Sequence, residues 1–431
     1  MDYLIIGGLV FEVVALSHID HRLFRTWFTP FNLLAWPYTV IVVLAFLFAP
    51  ALGFVSLYPP SVLIWIIGLL VFWATGFVIH CVLDCGPDRS VGRHEINRAF
   101  FDNSATKIAT SVSIAIMPVL ALNLYRALGS VGGWMQAGSY DFKVAYEHGL
   151  AAHALQLALP LCIYLMGSYR KGQRLQLFIV LCLILFLFFT QVKGTILSAI
   201  VAAVIFRTLR NESRLPLKRI LLAIAASYVM FTAVYVIGIS FSNPSALAQP
   251  DTYFYFARHY MHYLWSGVLA FSEARRANVG VIGGPWYLLF SPFINLYRAT
   301  LHAGPILISG GPLELGMNID PSNIMADGGT NVYTMIGTLY YYVGSCGAML
   351  VMIAFGGLCY TLLLLRRKGE WALVLYSVIG SWLVFSFFEY YFASLGFPET
   401  MVYCLLLAVL SRRSSSFFRL PVRSPSVSSK F

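Results

Sequence analysis

The chain has 431 residues, of which 59% are hydrophobic and only 11% charged, with a mean hydropathy of +0.76. A water-soluble fold needs roughly a quarter of its residues charged, so a soluble enzyme or binding module is excluded, and lipid is the solvent that fits. The net charge of +11 falls in short basic blocks between apolar runs, a pattern that suits orientation signals facing anionic lipid and not a nucleic-acid surface.

A helix needs about 20 apolar residues to cross the hydrocarbon core. On that measure the chain predicts an all-α fold, a polytopic integral membrane helical bundle of about eleven spans. They lie near 3–17, 31–57, 60–83, 107–128, 149–167, 175–190, 193–207, 219–241, 332–364, 371–392 and 396–411. The first lacks a charged n-region and a small-residue cleavage site, so it reads as a retained helix. The span from 332 is long enough to include a helical lead-in outside the bilayer. Residues 1–411 form one transmembrane domain. Residues 412–431 form a basic, Ser-rich tail, expected to be cytoplasmic and disordered. Of the seven cysteines, Cys162, Cys182, Cys346, Cys359 and Cys404 lie in apolar runs as small hydrophobes. Cys81 and Cys85 form a CxxxC with no second pair. Neither a disulfide nor a metal is expected.

Basic blocks around Arg22, Arg93, Arg170, Arg214, Arg366 and Arg412 occupy every second loop. The positive-inside rule makes those loops cytoplasmic. The other basic residues, Arg126, Lys143, Lys193, Arg258, Arg275, Arg276 and Arg298, fall on the opposite side or at its rim. This alternation requires an odd number of spans, with the N-terminus outside and the C-terminus inside.

The loop 243–331 lies on the outer side and is rich in aromatics. Residues 252–278 predict a helix with Tyr253, Phe256, Tyr260, Tyr263 and Leu264 on an apolar face, lying on or dipping into the membrane surface. Residues 279–285 break it, 286–301 hold a second short helix, and 308–327 read as irregular. Long loops of this kind tend to be lids or binding loops. Arg258, Arg275, Arg276 and Arg298 persist on the side where arginine should be depleted, which points to an anionic ligand. Lipid anchoring, and pairing of Arg276 with Glu273, are the bland alternatives. Lys193 sits in a short outer turn beside Gly194, where it either donates to phosphate or marks a helix end. His259 and His262, at i and i+3, share a helix face and are candidate bases, as is Glu389 at an outer helix end. Interfacial polar roles compete with catalysis at each histidine. Glu399 and Glu12 are ambiguous in the same way. The chain has no hydrolase elbow, phosphate-binding Gly loop or HExxH.

At Thr330, Asn331, Val332, Tyr333 and Thr334, leading into Met335, Ile336, Gly337, Thr338 and three tyrosines, the chain resembles bacterial oligosaccharide repeat-unit polymerases, the Wzy-type O-antigen polymerase family. Lys193, Gly194 and Thr195, and the Pro30–Pro37 opening of the second span, are similar to the family at two further places, as is the hydropathy plan of the whole chain. It departs in having Lys193 where relatives often have Arg, and in lacking a diagnostic carboxylate pair. The resemblance implies a metal-independent and cofactor-free glycosyltransferase at the periplasmic face of the bacterial inner membrane. Such an enzyme transfers a growing glycan from undecaprenyl diphosphate to the non-reducing end of a new lipid-linked repeat unit. It implies as partners the lipid-linked oligosaccharide, membrane lipids, and the flippase and chain-length regulator of the same pathway. Lys193, Arg258, Arg275, Arg276 and Arg298 would then hold diphosphates and stabilise the leaving group. Trp265, Trp286, Tyr287, Asn331 and Tyr333 would contact sugars, and His259, His262 or Glu389 would take the acceptor proton.

Three rivals stay open. An O-antigen ligase has a similar plan and relies on a periplasmic histidine. A transporter or flippase of lipid-linked glycans predicts charges buried mid-span, of which Glu12 is the clearest. A scaffold subunit predicts that alanine at Lys193, Arg258 or Arg298 leaves activity intact.

Overall fold

An unpaired backbone N–H or C=O costs several kcal/mol in lipid, so an apolar chain closes its hydrogen bonds inside helices. The computed structural model describes residues 2–83, 103–137, 139–190, 193–211, 249–281, 291–301, 303, 316–321, 329–330 and 332–417, with isolated positions between 218 and 245. Among these the helices are α1 (Asp2–Phe24), α2 (Pro30–Phe48), α3 (Val62–Leu83), α4 (Asn103–Ser130), α5 (Tyr140–Tyr146), α6 (Gly149–Ser168), α7 (Arg174–Phe188) and α8 (Lys193–Arg210). They continue with α9 (Pro250–Arg276), α10 (Ser291–Thr300), α11 (Met335–Leu365), α12 (Glu370–Val384) and α13 (Gly396–Phe417). Two strands of two residues each, β1 (Met317–Asn318) and β2 (Gly329–Thr330), pair antiparallel in the long loop.

Among the described residues, seven helices are long and apolar enough to cross a membrane: Asp2–Phe24, Pro30–Phe48, Pro59–Leu83, Ser104–Ser130, Gly149–Ser168, Met335–Lys368 and Glu370–Phe387. They match seven of the predicted spans, and the chain is a helical membrane protein on that ground. Of the other four, 175–190 corresponds to the shorter apolar helix α7. The span 193–207 lies in α8, whose ends carry Lys193, Arg207 and Arg210. The span 396–411 lies in α13, and 219–241, apart from isolated positions, lies outside the described residues. The Glu370–Phe387 span is 83% buried, which makes it the central helix of the bundle.

Cross-contacts sort by side. On the basic side, the Tyr360 hydroxyl donates to the buried Asp20 carboxylate at 3.0 and 3.2 Å. Trp371 Nε1 donates to Ser411 Oγ at 2.8 Å, and Arg210 pairs with Glu370 at 2.6 Å. At the opposite end, Val55 N donates to Ile319 O at 3.0 Å, and Gln156 Nε2 donates to Gly396 O at 3.2 Å. Each pair joins ends that the charge alternation assigns to one side. The two ends are hereafter the basic face and the loop face.

Two boundaries differ from expectation, and the long span from 332 divides into a lead-in and a longer helix, as its length allowed. The predicted span 31–57 stops at Phe48, because Pro50 cannot continue the helix and Gly53 turns it with a φ of +79°. Residues 49–58 instead leave the helix as a strap. The span from 332 is broken at Gly344, with φ 71° and ψ 178°, so 335–343 is a separate lead-in and the longer helix starts at Ser345. Helix α13 runs through Arg412 and Arg413 to Phe417, beyond the predicted start of the irregular tail.

Candidate active site on the loop face

Helix α9 carries three rows of side chains, each meeting a different neighbour. The first row is Arg258, His262, Trp265, Ser272 and Arg276, at the 3–4 residue spacing of one helix face. It meets the strap 49–58. Arg258 donates through Nε and Nη2 to the two oxygens of Asp320 at 3.1 and 2.6 Å, and through Nη1 to Leu52 O. Its guanidinium also covers the Phe54 ring at 4.7 Å. Phe54 in turn lies edge-on to Trp265 at 5.4 Å and 6.3 Å from His262. Tyr58 N donates to Ser272 Oγ at 2.5 Å, and Arg276 donates to Ser56 O and pairs with Glu273 at 3.2 Å.

The second row is His259, Tyr263 and Gly267. Gly267 sits so close to the turn after α12 that a β-carbon would lie 2.5 Å from both Phe387 O and Phe388 O. One turn along, Tyr263 stacks on Phe388 at 5.8 Å, and His259 stands edge-on to Tyr263 at 5.0 Å. The next residue after Phe388 is Glu389. Its carboxylate makes no hydrogen bond or ion pair among the described residues, and burial raises its pKa above the ordinary carboxylate value. Tyr391 follows. Burial, and then the charge of Glu389, push its phenol well up, so it stays a hydroxyl donor. That hydroxyl lies 3.5 Å from where a β-carbon would stand on Gly194, in the first turn of α8. Glu389, the histidine row and the Lys193 helix start therefore share one end of the bundle.

The third row is Phe271 and Arg275, facing the lead-in 335–343. Phe271 packs against Gly337 and lies 5.9 Å from Tyr341. Thr334 caps this lead-in through Gly337 N and accepts from Trp65 Nε1 at 3.0 Å. Arg275 donates to the Tyr340 hydroxyl at 2.7 Å and lies over its ring at 5.0 Å. Its Nε has no hydrogen-bond partner among the described residues, and no carboxylate pairs with it.

The sequence candidates thus separate. His259, Glu389 and the start of α8 at Lys193 come together. His262 is buried beside the strap, and burial lowers its pKa, opposed by the nearby Asp320, so it is neutral at pH 7. Arg258 has its fork engaged by a carboxylate. Arg275 and Arg276 lie at the far end of α9, about 24 Å from His259 at 1.5 Å per residue. Trp265 and Tyr333 are 0% and 1% exposed, so their rings are committed to packing and not displayed to a ligand. Arg298 sits in the last turn of α10, whose Phe293 lies edge-on to Phe397 at 5.9 Å. Trp286, Tyr287 and Asn331 lie outside the described residues. Sequence reasoning missed Asp320, Tyr391, Gly267 and the strap. Only the strap carried a readable signal, in Pro50, Gly53, Pro59 and Pro60.

A model of a family of unknown function, DUF6337, matches residues 53–417. The chain belongs to this family. The match takes in most of the strap, α9, the turn with Glu389 and both parts of α11, so the whole loop-face centre lies in the DUF6337 region. No curated protein and no solved structure matches the chain.

The contact at Gly267 gives a direct test of how the centre is assembled. Gly267→Ala forces a methyl into two backbone carbonyls and is expected to cost about 1–3 kcal/mol of stability, as overpacking does. It should also move Tyr263 off Phe388. Thermal unfolding in detergent, with Tyr263–Phe388 proximity read by cysteine cross-linking at the two positions, checks it. Unchanged melting and unchanged cross-linking would show that α9 does not seat on this turn.

Proposed function

We propose that this chain is a repeat-unit polymerase of the bacterial inner membrane, with the loop face periplasmic, the N-terminus on that side and the C-terminus cytoplasmic. The observation that carries the reading is the convergence of Glu389, the His259–Tyr263 row and the start of α8 at one end of an apolar bundle. Glycan transfer needs a base for the acceptor hydroxyl and cations for the departing diphosphate. A carboxyl with a raised pKa and no ion partner among the described residues suits the first need.

In this reading the non-reducing-end hydroxyl of a new lipid-linked repeat unit attacks the anomeric carbon of the growing chain. The carbon–oxygen bond to undecaprenyl diphosphate breaks, and the acceptor proton passes to Glu389, with His259 as the neighbouring alternative. Negative charge grows on the diphosphate as that bond breaks, so a cation placed there favours the transition state over the ground state. Lys193, at the start of α8, is the cation suited to this work, and Arg275 lies too far along α9 to reach the same bond. Arg258 serves the fold through Asp320.

A second reading, a ligase that moves finished glycan to another acceptor, is favoured by the position of His259 beside the same centre. Deleting the gene and running the surface polysaccharide on a gel separates the readings. A polymerase defect leaves single repeats attached to their final acceptor. Full-length polymer held on the carrier would mean ligation. Absence of any repeat unit outside the cell would mean flipping. An unchanged ladder would end all three.

A further inference from the structure

An apolar groove of about 460 Å³ opens at the loop-face ends of α4 and α7, away from the centre described above. Ala121, Leu124, Arg126, Gly133, Trp134 and Phe186 are among the residues that line it. Arg126 makes no ion pair or hydrogen bond among the described residues, and it is one of the few cations on this face. Around Gly129 and Gly133 there is open space where side chains would stand, so the glycines themselves help make the hollow. The groove is not isolated from the centre. The Trp134 ring lies 5.7 Å from that of Phe189. Only a few residues later Lys193 opens α8, with Gly194 against Tyr391 next to Glu389.

We infer that this groove receives the first isoprene units of the lipid carrier, with the diphosphate leaving it past Arg126 toward Lys193 and Glu389. The inference rests on the transfer reading above and adds where the apolar end of the substrate is held. Two features choose an isoprenoid chain over an ordinary phospholipid. The aromatic wall of Trp134 and Phe186 suits an unsaturated, branched chain. Arg126 lines the same hollow, so its charge complements a diphosphate joined to that chain. Its volume holds only the beginning of a long chain, and the remainder lies in the bilayer.

The test uses full-length protein in nanodiscs and two donors that carry the same repeat unit, one on undecaprenyl and one on geranyl diphosphate. The variant is Ala121→Phe with Gly129→Leu. Ala121 and Gly129 are exposed on α4, and Gly129 has nothing within 4 Å, so the added side chains fill the groove and not the core. Wild type is expected to favour the long donor by about tenfold in kcat/KM, since each buried methylene stabilises binding. The variant should lose most of that preference, because two isoprene units fill only part of the groove and blocking it costs the long donor more than the short one. A variant that keeps the wild-type ratio overturns the groove assignment while leaving the transfer reading in place. A wild type that uses neither donor overturns the reading, and the assignment with it. A photoreactive undecaprenyl phosphate should label α4 and α7 in wild type and not in the variant. Labelling elsewhere, or labelling suppressed equally by excess phosphatidylglycerol, marks an ordinary boundary lipid and overturns the assignment.

Discussion

Glu389→Gln is expected to lower glycan transfer by about 10²–10⁴-fold, the usual contribution of a general base, without destabilising the protein at neutral pH. The two halves of this expectation have one cause. The Glu389 carboxyl is partly buried and has no ion partner among the described residues, so its pKa is raised in the folded state. The folded protein therefore holds this proton more tightly than the unfolded chain does. Its contribution to stability is present below the unfolded carboxyl pKa and is lost as pH rises through the raised folded value. A neutral amide does not ionise, so the variant escapes that loss and should melt no lower than wild type above the ordinary carboxylate range. Activity runs the other way, since a base must be deprotonated, and wild-type transfer should rise with pH through the same interval. Rates and melting temperatures across a pH series, on wild type and variant side by side, measure both. A Gln variant with full activity would remove Glu389 from the chemistry. One that is inactive but also unstable would mean that the carboxylate holds the turn and not the proton.

Arg258→Ala should cost about 3–5 kcal/mol, the range for breaking a buried ion pair by removing one partner. Asp320 is 0% exposed and receives two hydrogen bonds from Arg258. Without the guanidinium, that carboxylate is a buried charge with its strongest partner gone. Leu52 O loses a donor as well, so the strap and the loop strands lose their shared anchor on α9. Replacing both partners by apolar residues of similar size, Arg258→Met with Asp320→Leu, should recover most of the loss, since pairs of this kind can be exchanged for packing. Arg258→Lys should fall between, because an ammonium cannot satisfy both carboxylate oxygens in a fork. Chemical unfolding of the four proteins in one detergent supplies the comparison. If alanine at 258 leaves stability unchanged but abolishes transfer, Arg258 is a ligand for the substrate and not a clasp within the fold.

Much of the architecture was legible in the residues themselves. Hydropathy alone marks the seven helices long and apolar enough to span, because lipid leaves the backbone no other way to satisfy its polar groups. The Lys and Arg blocks group the helix ends by side, and contacts such as Asp20 with Tyr360 and Val55 with Ile319 follow that grouping. The α9 helix appears at the place its aromatic periodicity predicts. A charge on a loop, by contrast, looks the same in sequence whether it awaits a ligand or already has a partner. Arg258 and Arg275 read alike, yet one meets Asp320, 62 residues along the chain, and the other, among the described residues, meets a tyrosine hydroxyl and ring.

By itself, then, the sequence determined that this is a helical membrane protein with a chemically loaded loop, because the partition of side chains between lipid and water depends on composition and local spacing. The tertiary structure alone decided which loop residues work together. Gly267 reads as an unremarkable small residue until the Phe387 and Phe388 carbonyls are seen against it. Glu389 and Gly194 are nearly two hundred residues apart until Tyr391 bridges them. Such juxtapositions arise from close packing between distant segments, and no local pattern encodes which segments will meet.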